Sequence, residues 1–296
     1  MKALVAATVL FAAASGSAFA FTSYVLPAEF LPASSRMRAD AAFTATFFTP
    51  QIALSSDFKI IEPDGSDGIF EQEEIADSAT HLGTTLLHPG TYRITSGERL
   101  GDVTTLVGSN GQWRPLGQGE TPPAGADTTT LQTVTVADAY VTRGAPTRGA
   151  VDTQTATLAI HPITHPNQIL ISDGFQIEVT FNGQPFANSA IVLYSSGQAD
   201  TDTTRYFVTD ASGRATITLD QAGTYAIAAR NRAAAPAGSP AAVRSYTTTL
   251  TFQAFDALPA VQEVQDETQQ PPPSTSYRDR RRNGAFGNRG VGRIGN

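Results

Sequence analysis

The run from Ile169 to Ala229 limits the folding choices of this chain more than any other stretch. Phe175, Ile177, Val179 and Phe181 alternate with Gln176, Glu178 and Thr180, and a period of two puts one set on each face of a half-buried strand. Asn182-Gly183 follows at once. Both residue types tolerate the positive φ of a tight hairpin turn, and Pro185 then bars a long continuation in a central strand. Residues 190–193 and 206–209 supply two more apolar segments, and Asp210-Ala-Ser-Gly213 is a turn of residues that hydrogen-bond their own backbone. Ala215, Ile217 and Leu219 alternate again, and Gly223 precedes a last alternating set, Tyr225, Ile227 and Ala229. Short strands, regular turn signals and no helical period predict an antiparallel β-sandwich.

Three segments here, THPNQI, FQIEVTFNGQPFANSAIVLY and TDASGRATITLDQAGTYAI, resemble the C-terminal half of the bacterial DUF4198 family. The family pattern is a Pro-Asn or Pro-Asp lead-in, a DGKPL-type hairpin, and a finish in which Thr-Asp and Gly precede a spaced Leu, Gly and Tyr. The hairpin corresponds to Asn182 through Val192, and the finish to Thr209, Asp210, Gly213, Leu219, Gly223 and Tyr225. Similar hairpins occur in carboxypeptidase-regulatory-like and transthyretin-like sandwich modules. The resemblance implies an exported Ig-like sandwich, and for some members a periplasmic role beside nickel or cobalt uptake.

Residues 1–20 carry Lys2, an apolar run from Ala3 to Ala14 and the A-x-A sequence Ala18-Phe-Ala20. This is the pattern of a secretory signal cleaved after Ala20, with Phe21 first in the mature chain. The apolar run is too short to span a bilayer, and no other stretch qualifies, so no transmembrane segment is expected after cleavage. There are no cysteines, which leaves neither disulfides nor a lipoprotein anchor. The expected location is the periplasm or the medium. In the family, an Ala-His pair usually opens the mature chain, ahead of aromatics and a proline. Tyr24 and Pro27 match those places, but Thr22 stands at the histidine position. An N-terminal histidine with the terminal amine is what the resemblance implies for a nickel or cobalt site, and this chain lacks that histidine.

Charge is divided unevenly. Residues 21–270 hold 13 basic and 26 acidic side chains, net −13, whereas 271–296 hold six Arg and one Asp, net +5. An acidic body argues against nucleic acid as a partner. The triple proline at 271–273 and the Arg-rich end cannot bury a core, which predicts a disordered basic tail from 259 to 296. Such a tail serves either as a tether to anionic envelope components or only as a solubilising extension.

The first half echoes the second. Phe43-Thr-Ala-Thr-Phe47 answers Ile177-Glu-Val-Thr-Phe181, and Gly90-Thr-Tyr-Arg-Ile94 answers Gly223-Thr-Tyr-Ala-Ile227. The spacing within each pair of motifs is nearly equal, which predicts two related sandwiches in tandem, 21–157 and 158–258. Residues 95–150 are the least regular part. They contain Trp113, the single tryptophan, which either stacks on a ligand or closes the end of a core. The 142–153 stretch, with Arg143-Gly-Ala-Pro146-Thr-Arg148-Gly, reads as an exposed loop.

Chemistry-bearing patterns are few. The acidic segment 64–77 fails the ligand spacing of a helix-loop-helix calcium site and reads as a solvated loop. His161 and His165 share one face only on a helix, and Pro162 and Pro166 argue for extended chain, in which they stand about 13 Å apart. His81 and His88 complete the set of candidate metal ligands. There is no G-x-S-x-G, no Gly-rich phosphate loop and no H-E-x-x-H. The expectation is a non-catalytic exported binding or accessory protein without a cofactor, whose partner is an envelope protein or transporter and whose remaining candidate ligand is nickel or cobalt. The alternative is a structural or adhesive envelope module.

Overall fold

The alternation read from Phe175 to Phe181 is realised in the computed structural model: Phe175, Ile177 and Val179 are fully buried, and Gln176 is exposed. Asn182 and Gly183 take φ of 51° and 70°, as a two-residue hairpin requires, and the returning strand Gln184–Pro185 is only two residues long. The structure describes residues 21–264 except 110, 118, 154 and 155. Ala20 and the tail beyond Val264 lie outside the described residues. Residues 259–264, placed in the tail by composition, are described and lie beside Gly144, whose added Cβ would meet Val264 Cγ2 at 2.5 Å.

Among the described residues the protein is all-β, with one four-residue helix, Gly149–Asp152. Three sheets are stacked. An eleven-stranded sheet runs through both halves in the order Tyr206–Val208, Ala190–Ser195, Gly223–Ala234, Val243–Phe255, Thr128–Arg143, Gly90–Thr95, Lys59–Ile61, Asp67–Gly68. Its two longest strands, Thr128–Arg143 and Val243–Phe255, are parallel neighbours, in register from Leu131↔Val243 to Ala139↔Thr251. One outer sheet comes from the first half, Thr22–Pro27, Arg36–Thr44, Thr80–Thr85 and Gln72–Ile75, and the other from the second, Leu158–Pro162, Phe175–Phe181 and Gln184–Pro185 with Arg214–Ile217.

The Gly-Thr-Tyr motifs occupy matching places in this scheme. Gly90–Thr95 runs antiparallel to Thr128–Arg143, and Gly223–Ala234 antiparallel to Val243–Phe255, so the two antiparallel pairs flank the parallel joint. Faces of the shared sheet are assigned by alternation. Tyr225, Ile227 and Ala229 join Phe175, Ile177 and Leu250 in one apolar cluster under the second outer sheet. Ala137, Ala139 and Val141 join Val25, Met37, Leu82 and Ile94 in another under the first.

A third cluster ties the halves together. Tyr24, Ala42 and Phe47 from the first half pack on Val192, Tyr194, Ala226 and Ala228 from the second, so the Thr22–Pro27 strand is buried on both faces. Phe47 stacks on Tyr194 with centroids 4.2 Å apart, and its backbone N–H donates to Gln198 O at 2.9 Å. Around this contact Arg230 donates from Nη1 to Tyr194 Oη and from Nη2 to Thr22 Oγ1, and Thr22 donates to Asp200 Oδ2. The residue at the family's histidine place is thus a buried strut.

The 142–153 stretch departs from its reading as an exposed loop. Thr142 and Arg143 are buried, and Arg143 Nη1 reaches Leu86 O at 3.2 Å. Thr142 hides its hydroxyl by bonding Thr91 and Asn167, a pairing that local polarity does not reveal. The acidic 64–77 segment forms the short pairing Asp67–Gly68 and the wholly exposed edge strand Gln72–Ile75.

Candidate groove between the two halves

A groove of about 840 Å³ opens where the outer face of the first sheet meets the ends of the parallel strands and the chain beyond them. Leu26, Phe30, Phe255 and Leu258 give it apolar walls, and Arg38 and Asp40 face it from the Arg36–Thr44 strand. The position follows from register. Leu26 and Asp40 are cross-strand partners, on the face whose other end, Tyr24 and Ala42, is covered by the second half. Coverage stops one row short, and the groove is what remains open.

Asn167, from the Pro-Asn motif, fixes the inner wall. It is 2 % exposed. Its Nδ2 donates to Tyr140 O at 3.0 Å, and its Oδ1 accepts from Thr142 Oγ1 at 2.8 Å. Thr142 N–H in turn donates to Phe30 O at 2.9 Å, so the Phe30 loop, the long strand and the 165–168 turn hold one another. Behind them His165 accepts at Nδ1 from Asn167 N–H at 3.2 Å and lies with Nε2 at 3.0 Å from Thr91 Oγ1 and 3.1 Å from Thr147 O. With Nδ1 an acceptor, the ring is neutral and Nε2 carries the hydrogen.

Burial lowers the His165 pKa below its ordinary 6.5, with the Thr147 carbonyl opposing in part. In the unfolded chain the ring takes up a proton that the folded site refuses, so stability falls as pH drops from 6.5 toward the lowered value. Burial lowers His161 likewise, whereas it raises Glu62 and Asp200, carboxyls that act in the opposite sense at lower pH. Thermal melts from pH 8 to about 5 are therefore expected to show a flat region and then a decline. A His165→Gln variant is expected to lose part of that decline, and an identical profile would remove His165 as its source.

The four histidines are dispersed. His81 Nδ1 lies 2.7 Å from Asp40 Oδ1, both half exposed, on the strand row beside the groove. The backbone N–H of His88 donates to Tyr92 Oη and its carbonyl accepts from it, near the half-buried Glu62. His161 Nε2 stands 3.7 Å from Asp152 Oδ1, and His165 belongs to the network above. Among the described residues no group of three or more His, Asp or Glu side chains is placed to share an ion. No helix among them is long and apolar enough to cross a membrane. Asn167 and Phe30 were missed as groove residues: the Pro-Asn motif marked the first, and nothing local marks the second.

Stacked sheets, antiparallel except at the joint of the two longest strands, with an open groove between their halves define a β-sandwich protein with a cleft. The model of the domain of unknown function DUF4198 matches residues 18–233, and the chain belongs to that family. The match ends before Val243–Phe255, the strand that joins the halves. No protein of curated function matches the chain. Among solved structures, the D00-D0 domain of intimin is similar over 79% of this chain and 100% of its own, with 12% identity and a TM-score of 0.20, a level at which the likeness supports no argument.

Proposed function

We propose that this is an exported, non-catalytic binding protein of the cell envelope that holds a small ligand in the groove between its halves. The groove carries the proposal: its volume lies within the ~300–1,000 Å³ of small-molecule sites, its walls are mainly apolar, and a few fixed polar groups converge on it. Export rests on the N-terminal pattern ending at Ala20. Protein recovered from a periplasmic or culture-medium fraction is expected to begin at Phe21, and a chain that retains residues 1–20 would contradict export by cleavage.

A part in nickel or cobalt uptake rests on the His81–Asp40 pair at the groove edge. Two protein ligands leave the other positions to water, so the site would be weak and exchangeable. Titration calorimetry with nickel, cobalt and zinc separates the readings. Saturable heat that His81→Ala abolishes supports cation capture, and no heat leaves the groove to an uncharged ligand. The structural or adhesive reading is favoured by the open edge strands, where Ile75, Tyr206 and Val208 are each more than half exposed and backbone groups await pairing. The basic tail would then contact anionic envelope components. Deleting residues 271–296 is expected to lower retention on envelope fractions, and unchanged retention rejects the tether.

A further inference from the structure

A second recess lies far along the sheet from the groove, and it does not depend on the function proposed for that groove. It has a volume of about 400 Å³ and is lined by Leu106, Trp113, Leu131, Arg232, Ala234 and Val243 among others. Three hairpin arms meet there: Arg99–Ser109 with Gln112–Pro115, the start of Thr128–Arg143, and the two ends of the final strand pair, Gly223–Ala234 and Val243–Phe255. Register places Trp113 opposite Gly108, Leu106 opposite Thr129, and Leu131 opposite Val243.

Two features of the lining suit a ligand. Trp113 is half-buried, and its ring lies over Gly108: a Cβ there would meet Cη2, Cζ3 and Cζ2 at 3.2–3.4 Å. One face of the indole is thus backed by bare backbone. The strand ends opposite carry Ala234 and Ala242, small side chains with poor strand preference that leave space where Val or Ile would fill it.

Charge adds the second half of the argument. Among the described residues no acidic side chain lines the recess. Arg232 reaches it and makes no ion pair among the described residues, whereas Arg114, next to Trp113, is already held by Glu120. In a chain of net charge −7, this is a locally cationic recess with an aromatic platform.

We infer that the recess binds an acidic saccharide, with a ring packed on Trp113 and its acid group on the Arg232 guanidinium. A sugar suits a half-open site. Its C–H face covers the indole while its hydroxyls stay in water, whereas a flat aromatic acid needs both faces covered to gain fully from burial. The guanidinium supplies the planar fork that pairs with a carboxylate.

The single tryptophan makes the test direct. Trp113 fluorescence is titrated with trigalacturonate, maltotriose and benzoate. The expected result is a saturable change with trigalacturonate, at least tenfold weaker binding of maltotriose, and weaker binding still of benzoate. Arg232→Gln is expected to bring trigalacturonate to the level of maltotriose, and Ala234→Leu, which fills the recess, to abolish both. Calorimetry on Trp113→Phe, at least tenfold weaker, confirms the stacking role. Unchanged circular dichroism shows that the variants fold. No saturable change, equal affinity for neutral and acidic trisaccharides, or tighter binding of benzoate would overturn the inference.

Discussion

Phe47→Ala is expected to destabilise the protein by about 3–5 kcal/mol, the range for deleting a fully buried phenylalanine. The side chain is 0 % exposed and sits between the halves, stacked on Tyr194, edge-on to Phe48 and tilted against Tyr24. Relaxation cannot easily refill the space, because the surrounding strands are pinned by the Thr46↔Ala199 bridge and the Asp200 N–H bond to Ala45 O. Chemical denaturation should show a lower midpoint. Phe47→Leu, which keeps most of the volume, should recover more than half of the loss. A loss below about 1 kcal/mol would mean that the two halves hardly depend on this contact for stability.

Asp138→Ala is the second large effect, also about 3–5 kcal/mol, because it strands a buried guanidinium. Asp138 Oδ2 accepts from Arg93 Nη2 at 2.9 Å, with both side chains 4 % exposed. Arg93 Nη1 also donates to Thr153 O, but among the described residues Arg93 Nε and Asp138 Oδ1 have no partner. The pair is therefore incompletely satisfied, and its replacement as a whole should cost little. An Arg93→Met, Asp138→Leu double variant is expected to lie within about 1.5 kcal/mol of the parent. Denaturant melts of the single and double variants give the comparison. A double variant as unstable as the single one would show that the pair contributes net stability.

What was legible in the sequence was the strand set of the second half. Phe175 to Phe181 alternates without interruption, Asn182-Gly183 names its own turn, and the strands after it are short and bounded by turn residues. Thr128–Arg143 was only partly legible. Its end runs into the 142–153 stretch, which reads as an exposed loop, yet Thr142 and Arg143 are buried, as is Asp138 before them. Their partners, Asn167, Leu86 O and Arg93, lie 25 to 57 residues away in sequence. The parallel pairing of Thr128–Arg143 with Val243–Phe255 brings together residues 112 apart, and no local period encodes it. The groove was hidden for the same reason. It is assembled from the 26–32 segment, the 165–168 turn, Thr224 and the chain after Phe255, and although Pro27, Asn167 and Thr224 fall in motifs that sequence marks, those motifs lie far apart along the chain. The histidines were the visible candidates, and among the described residues the fold gathers none of them into a group of three or more potential ligands.

The most direct measurement of the central claim is fluorescence titration of the full chain with 1-N-phenylnaphthylamine, an uncharged apolar probe. The site is then mapped by hydrogen exchange, and the titration is repeated on Thr224→Trp, which narrows the groove from its floor. The groove reading predicts one saturable site, protection at residues 28–32 and 253–262, and loss of binding in the variant. Absent or non-saturable binding, or binding that Thr224→Trp leaves unchanged, would contradict it.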